Sequence, residues 1–253
     1  MLAEGRVVAR SSGGFEGQRS AATTHSNVLI ALGRELFADA EWEKLWRIAG
    51  TTPLDRQALI DFDDALWGPS LSRIANDRPN APGTLGIPGH GITRCELEDG
   101  DVFKPLHYCA VYLVDPRQDI AWMARHVVQM SGAHLEQLVK RIGPLSFLPL
   151  GNLLKQAVVQ GRIDRVTWDQ LWRYRSIYNA AKHQFDHPIG THLFSVQDAV
   201  FAYVVSRRLG QELYSLADLR TDPRFQRDPS PYLGWQGYPA QRDTEGGDDE
   251  FEG

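Results

Sequence analysis

Four side chains that could act on an anionic substrate recur at helical spacing in one short segment, RSIYNAAKHQFDHP. They are Arg175, Asn179, Lys182 and His183. An arginine can hold a phosphate and stabilise the negative charge that develops during its cleavage. A histidine can transfer protons near neutral pH. The residue types therefore indicate an RNA-cleaving site, a nucleotide-binding site or a polar helix edge that carries neither.

The four side chains fall on one stripe of the helix that the segment predicts. With Arg175 at zero and about 100° per residue, Asn179 lies at about 40°, Lys182 at about −20° and His183 at about 80°. Apolar residues cluster near about −80° on the same wheel: Leu171, Tyr174, Tyr178, Ala181 and Phe185. The polar stripe therefore borders the apolar stripe, where it can line a groove between helices or face a second copy of the chain.

Each of these side chains also has a purely structural interpretation. The stem of Arg175 can cover apolar surface while its guanidinium contacts a carboxylate. Asn179 can bond the backbone of a neighbouring helix, and Lys182 can be solvated. His183 can bond the last carbonyls of its own helix, where the helix dipole favours a cation.

The helix that carries the stripe is the third of four helical segments joined by short connections. These segments span residues 117–143, 149–163, 164–188 and 195–214. Each has apolar residues at helical spacing, and Ser195 with Asp198 approximates a capping box at the start of the last one. Four such segments predict a helical bundle, so we expect an all-α fold.

The rest of the chain divides by composition into segments around this bundle. Residues 1–24 are rich in Gly, Ser, Ala and Thr and predict a mobile arm. We expect an N-terminal helical extension at 25–75, a Gly/Pro-rich loop and connector at 76–116, the bundle at 117–216 and an acidic disordered tail at 217–253. Within the connector, the run PLHYCAVYLVDP is compatible with a short buried strand or with a helix.

Three stretches of the bundle resemble a HEPN domain, the helical family named for higher eukaryotes and prokaryotes nucleotide-binding. They are LGNLL at 150–154, YNAAKH at 178–183 and the capped helix at 195–213. The resemblance implies a HEPN-like four-helix bundle that acts in defence or in a toxin–antitoxin pair. Catalytic members are metal-independent ribonucleases whose sites form across a dimer. By that resemblance the catalytic set is Arg175, Asn179 and His183, with Lys182 and Arg175 contacting nucleic acid.

The spacing of the presumed catalytic pair departs from the family pattern. The family motif places roughly four to six residues between its arginine and its histidine, whereas seven separate Arg175 from His183. We therefore predict a non-enzymatic HEPN-like module that binds RNA, a nucleotide or a protein partner. Two alternatives stay open: a metal-independent ribonuclease that uses Arg175 and His183, and a structural protein that oligomerises through its Trp-rich N-terminal helices.

Composition and charge indicate whether the chain is globular, whether it spans a membrane and whether it suits an anionic ligand. Apolar residues make up 42% and charged residues 23%, which is ordinary for a soluble globular protein. No apolar run approaches the roughly 20 residues of a membrane helix, so we expect a cytoplasmic protein without a membrane partner. The net charge is −5, yet residues 117–213 hold 12 Lys and Arg against 7 Asp and Glu, which suits an anionic ligand.

Metal and redox chemistry have weak support in the sequence. The chain has two cysteines, too few for a disulfide framework or a zinc knuckle. His183 and His187 have the spacing of two zinc ligands on a helix, but no glutamate lies between them as in HExxH enzymes. We therefore expect no metal and no cofactor.

Overall fold

The computed structural model describes residues 25–68, 71–76, 100–142, 148–183 and 193–216, and all regular structure among them is helical. The all-α prediction is therefore confirmed for these residues. The predicted arm, most of the Gly/Pro-rich loop and the predicted tail lie outside them. The helices are α1 (25–36), α2 (Asp39–Ala49), α3 (Arg56–Trp67), α4 (Leu71–Asn76), α5 (Gly100–Val114), α6 (Ile120–Ile142), α7 (Leu150–Val159), α8 (Arg165–His183) and α9 (Val196–Leu216).

The expected connector contains a helix of the core. Residues Gly100–Val114 form α5, which packs along α6 and buries Leu106, Ala110 and Leu113 completely. The sequence left strand and helix open here because a continuous apolar run lacks the alternation that separates the two. The core therefore includes a helix in addition to the four segments that the sequence assigned to a bundle.

Helix α6 lies at the centre of the packing and fixes the position of α8. It contacts α5, α7, α8 and α9. At the crossing with α8, a Cβ atom on Gly132 would lie 2.3 Å from Cδ2 of Tyr178, so only glycine lets the ring approach this closely. Beside the crossing, the Tyr178 hydroxyl donates to Glu136 at 2.6 Å. These two contacts of Tyr178 fix where the C-terminal part of α8 lies along α6.

The N-terminal helices attach to the last helix through a buried ion pair. Arg207 of α9 donates to the carboxylate of Asp63 of α3 at 2.6 Å, and both side chains are fully buried. The Arg207 guanidinium also lies 4.3 Å from the ring centroid of Trp67 and donates to the Tyr203 hydroxyl. A paired and hydrogen-bonded arrangement is what makes burial of such charges tolerable.

None of the described helices is both long enough and apolar enough to cross a membrane.

Candidate functional site

Helix α8 presents the polar stripe, and its own start and buried face orient it. Asp164 caps the helix, because its carboxylate accepts from the Thr167 N–H at 2.8 Å and from the Thr167 hydroxyl at 3.0 Å. These hydrogen bonds, led by the one from the backbone N–H, lower the pKa of Asp164. Tyr174 and Tyr178 are buried, as the apolar stripe predicted, while Arg175 is half-buried beside them.

Arg175 packs against an aromatic ring and a glycine. Its guanidinium carbon lies 4.8 Å from the ring centroid of Trp172, one helical turn toward the start of α8. Its Nε atom would lie 2.9 Å from a Cβ atom built on Gly151 of α7. The glycine of the LGNLL stretch therefore provides the space that the Arg175 side chain occupies.

The contact continues as a row of cations and tryptophans along α8. The Trp168 and Trp172 rings stack at 5.3 Å between centroids and 18° between planes. Arg165 lies 4.1 Å from the Trp168 centroid, and Lys155 of α7 lies 5.7 Å from that of Trp172. We call the five residues Arg165, Trp168, Trp172, Arg175 and Lys155 the Arg–Trp column.

The cations of the Arg–Trp column have no counter-ion on the described chain. Arg165, Arg175 and Lys155 each lack a carboxylate within salt-bridge distance among the described residues. Arg165 and Lys155 are exposed. A cation over a tryptophan face gains only about 0.5–1 kcal/mol at an exposed site, so most of each charge remains available to an anion.

Asn179 and Trp168 add uncommitted polar groups to the same face. The Asn179 side chain, half-buried one turn beyond Arg175, makes no hydrogen bond to any residue that the structure describes. The Trp168 Nε1–H is buried and also lacks an acceptor within the described ranges. A buried N–H is usually hydrogen-bonded in a folded protein, so a ligand that accepts from Trp168 would satisfy this donor.

Lys182 differs from the column because it is paired. Its Nζ lies 3.6 Å from Oε2 of Glu136 and 4.8 Å from the centroid of Tyr178. Burial acts to raise the pKa of Glu136, but the hydrogen bonds from Tyr178 and Lys140 and the charge of Lys182 outweigh it and lower that pKa. Burial and the hydrogen bond to Glu136 in turn raise the pKa of Tyr178. The positive charge of Lys182 is thus largely committed to α6.

The side chains proposed as catalytic are not joined by hydrogen bonds among the described residues. Arg175 lies against Trp172 on its N-terminal side, whereas His183 is exposed at the last residue of α8 on its C-terminal side. No hydrogen bond joins the side chains of Arg175, Asn179 and His183 in the described structure. The arrangement can bind an anion near Arg175, but it shows no paired acid and base.

Sequence reasoning missed the tryptophans, although the signal was present. On the wheel with Arg175 at zero, Trp168 falls at about 20°, Trp172 at about 60° and Arg165 at about 80°. They therefore extend the polar stripe by three turns toward the start of α8. Lys155 comes from a different helix, and no local pattern predicts its position.

A cavity of about 490 Å³ lies elsewhere, between the α2–α3 loop and the starts of α6 and α9. Its helix starts are already capped, since Asp119 accepts from the Ala121 N–H and Ser195 from the Asp198 N–H. The cavity contains none of the residues that the sequence nominated. Among the described residues no three His, Cys, Asp or Glu side chains are grouped to hold a metal ion, and His187 lies outside those residues.

Comparison of the chain with protein-family models, with curated proteins and with solved structures finds no match.

Proposed function

We propose that this protein is a non-enzymatic HEPN-like binding module that holds single-stranded RNA along the Arg–Trp column. The observation that carries the proposal is the row of three cations without carboxylate partners against two stacked tryptophans. Phosphates pair with the cations, and unpaired bases stack on the aromatic rings or on guanidinium planes.

The length of the column favours a strand over a mononucleotide. Arg165 and Arg175 are ten residues apart on α8, which corresponds to about 15 Å. At about 3.4 Å per nucleotide along a stacked strand, that distance spans roughly four nucleotides. A duplex would offer no base faces to the rings, because its bases are stacked on each other.

The grouped cations favour RNA over a protein partner that binds through an apolar face, because the affinity for RNA then depends on salt. Stacking contributes about 1–3 kcal/mol per base, and each neutralised phosphate makes the affinity fall with salt. Asn179 supplies an amide to a phosphate or base edge next to Arg175. Lys182 contributes less than Arg175, because its ammonium lies 3.6 Å from the Glu136 carboxylate, which it shares with Lys140.

The test compares a variant that lacks the two arginines of the Arg–Trp column with a variant that lacks a paired arginine of the same helix. Affinity for a fluorescein-labelled, mixed-sequence 12-nucleotide RNA is measured by anisotropy in 50 mM NaCl. The variant R165A/R175A should bind at least about tenfold more weakly than wild type, since two phosphate contacts are lost.

The matched control is R173A, because Arg173 is paired with Glu35 at 2.7 Å and with Asp169 at 2.9 Å. It should bind within about twofold of wild type. Equal losses in the two variants would refute the column as the binding site.

A cleavage assay on the same RNA in EDTA addresses the ribonuclease alternative. The proposal expects the RNA to remain intact with wild type and with H183A. If wild type cleaves the RNA and H183A does not, the protein is a ribonuclease that uses His183 and not a non-enzymatic binding module.

A further inference from the structure

We infer that the acidic segment DTEGGDDEFE, residues 243–252, docks on the Arg–Trp column and competes there with RNA. The inference rests on the proposed function for its regulatory consequence, but the docking itself is tested without RNA. The segment carries six acids and no Lys or Arg: Asp243, Glu245, Asp248, Asp249, Glu250 and Glu252. When extended it carries one negative charge per about 5.5 Å, against one per about 3.4 Å along a nucleic-acid strand.

Charge complementarity selects the column as the docking surface. Arg165, Arg175 and Lys155 face no carboxylate on the described chain. Two other arginines already have one, since Arg117 pairs with Asp115 at 2.9 Å and Arg173 pairs with Glu35, whereas Arg34, Lys44 and Arg47 also lack a carboxylate among the described residues. An acidic segment therefore gains more at the column than at these paired positions, where it would compete with an existing partner.

Chain length allows the contact. Roughly 26 residues separate the end of α9 from Asp243, and they can span up to about 85 Å at about 3.3 Å per residue. A domain of about 200 residues has a radius of gyration near 16 Å, so the segment can reach any part of its surface. Phe251 gives the segment an aromatic ring among its charges, as a base does in a strand.

Tethering makes a weak contact effective. An attached segment acts at an effective concentration on the order of 1 mM. If its own dissociation constant at the column is about 0.3 mM, it weakens the apparent RNA affinity about fourfold at low salt. High salt should remove the competition along with the charge attraction.

The docking is tested in the full wild-type chain without RNA by a zero-length carbodiimide reaction, which joins a carboxylate to a contacting amine. Monomeric product is digested and analysed by mass spectrometry. We expect peptides that link residues 243–252 to Lys155, and we expect this link to fall at least fivefold in 500 mM NaCl or in R165A/R175A. Links to Lys44 or Lys182 at the same yield, or no link to Lys155, would overturn the inference.

The competition is tested by two matched triple variants of the full chain. D248N/D249N/E250Q should bind the 12-nucleotide RNA at least about threefold more tightly than wild type in 50 mM NaCl. The control D39N/E43Q/D61N makes the same change in net charge at exposed positions of α2 and α3 and should stay within about 1.5-fold.

The experiments distinguish a failure of the proposed docking from a failure of the proposed RNA binding. A Lys155 link without any RNA binding would refute the proposed function and leave the docking intact. RNA binding without the link, or with equal affinities in the two triple variants, would refute the docking and leave the proposed function intact.

Discussion

Two arginine–tryptophan contacts in this protein have the same local geometry and opposite surroundings. In the core, Arg207 lies 4.3 Å from the Trp67 centroid; on α8, Arg175 lies 4.8 Å from that of Trp172. Arg207 is fully buried and bonded to the Asp63 carboxylate, whereas Arg175 is half-buried without a carboxylate among the described residues. The contact with the ring therefore does not decide the role of either arginine.

The role of each arginine depends on whether it has a counter-ion and on how deeply its side chain is buried. A buried charge without a partner costs several kcal/mol, so Arg207 requires Asp63 and serves the fold. An exposed charge costs little when it is unpaired and retains its attraction for an anion from solution. The same two residue types thus join helices in one region and present a binding surface in the other.

The largest expected effect is on the buried contact. Asp63→Asn leaves the Arg207 charge buried without its anion and should lower the free energy of unfolding by about 3–5 kcal/mol. Urea denaturation followed by circular dichroism measures the loss. The double variant D63N/R207M should recover part of it, because neither charge is then buried alone. A loss under about 1 kcal/mol in D63N would show that the core does not depend on this pair.

Acid should weaken the buried region through a histidine that is buried in its neutral form. Burial lowers the pKa of His107 from 6.5 to about 4. The unfolded chain binds the proton first, so stability is full above about pH 6.5 and falls as the pH drops toward 4, by up to about 3 kcal/mol. His107→Leu should reduce this pH dependence when unfolding free energies are compared at pH 7 and pH 4.5. The same slope in both proteins would contradict the assignment.

The placement of Arg175 can be changed without removing its charge. Gly151→Ala puts a methyl group 2.9 Å from Nε of Arg175, and the flexible end of that side chain must move. RNA affinity should fall about two- to threefold, while the free energy of unfolding changes by less than about 1 kcal/mol. Anisotropy and denaturation of the same preparation give both values. A stability loss above about 1 kcal/mol with unchanged RNA affinity would mean that Arg175 serves packing.

The smallest effect is expected at the paired arginine of α8. Arg173→Ala removes a surface ion pair with Glu35 and should cost about 0.2–1 kcal/mol of stability. Thermal melting should therefore shift by only a few degrees. A large loss of RNA affinity without a shift in melting would blur the distinction between paired and unpaired arginines on which the comparison rests.

Local sequence patterns predicted the position of Arg175 on α8 but not the buried pair of Asp63 and Arg207. The period of the apolar residues gave α8 and the border position of Arg175 and Asn179, because helical geometry relates residues three and four apart. The same geometry would have included Trp168 and Trp172. The Asp63–Arg207 pair joins residues 144 positions apart, and no spacing rule connects them. Lys155 reaches the column only through the packing of α7 on α8, which depends on the whole core.

The buried helix α5 shows the same limit. Its apolar run fits a strand as well as a helix, and Pro105 within it argues against a central strand without specifying a helix. Packing against α3, α4, α6 and α9 resolves the choice, and it buries the side chains of residues 109–114. The functional proposals for HEPN-like RNA binding, for a role in defence and for a homodimer remain predictions from the resemblance.

The salt dependence of RNA binding shows whether the unpaired cations of the Arg–Trp column hold phosphates. The logarithm of the association constant is measured against the logarithm of the NaCl concentration between 50 and 300 mM for wild type, R165A/R175A and R173A. If the unpaired cations of the Arg–Trp column hold phosphates, R165A/R175A should lower the magnitude of the slope by about 1.4 relative to wild type, because each phosphate contact on a single strand contributes about 0.7, and R173A should leave it unchanged. Parallel slopes for wild type and R165A/R175A would contradict the account.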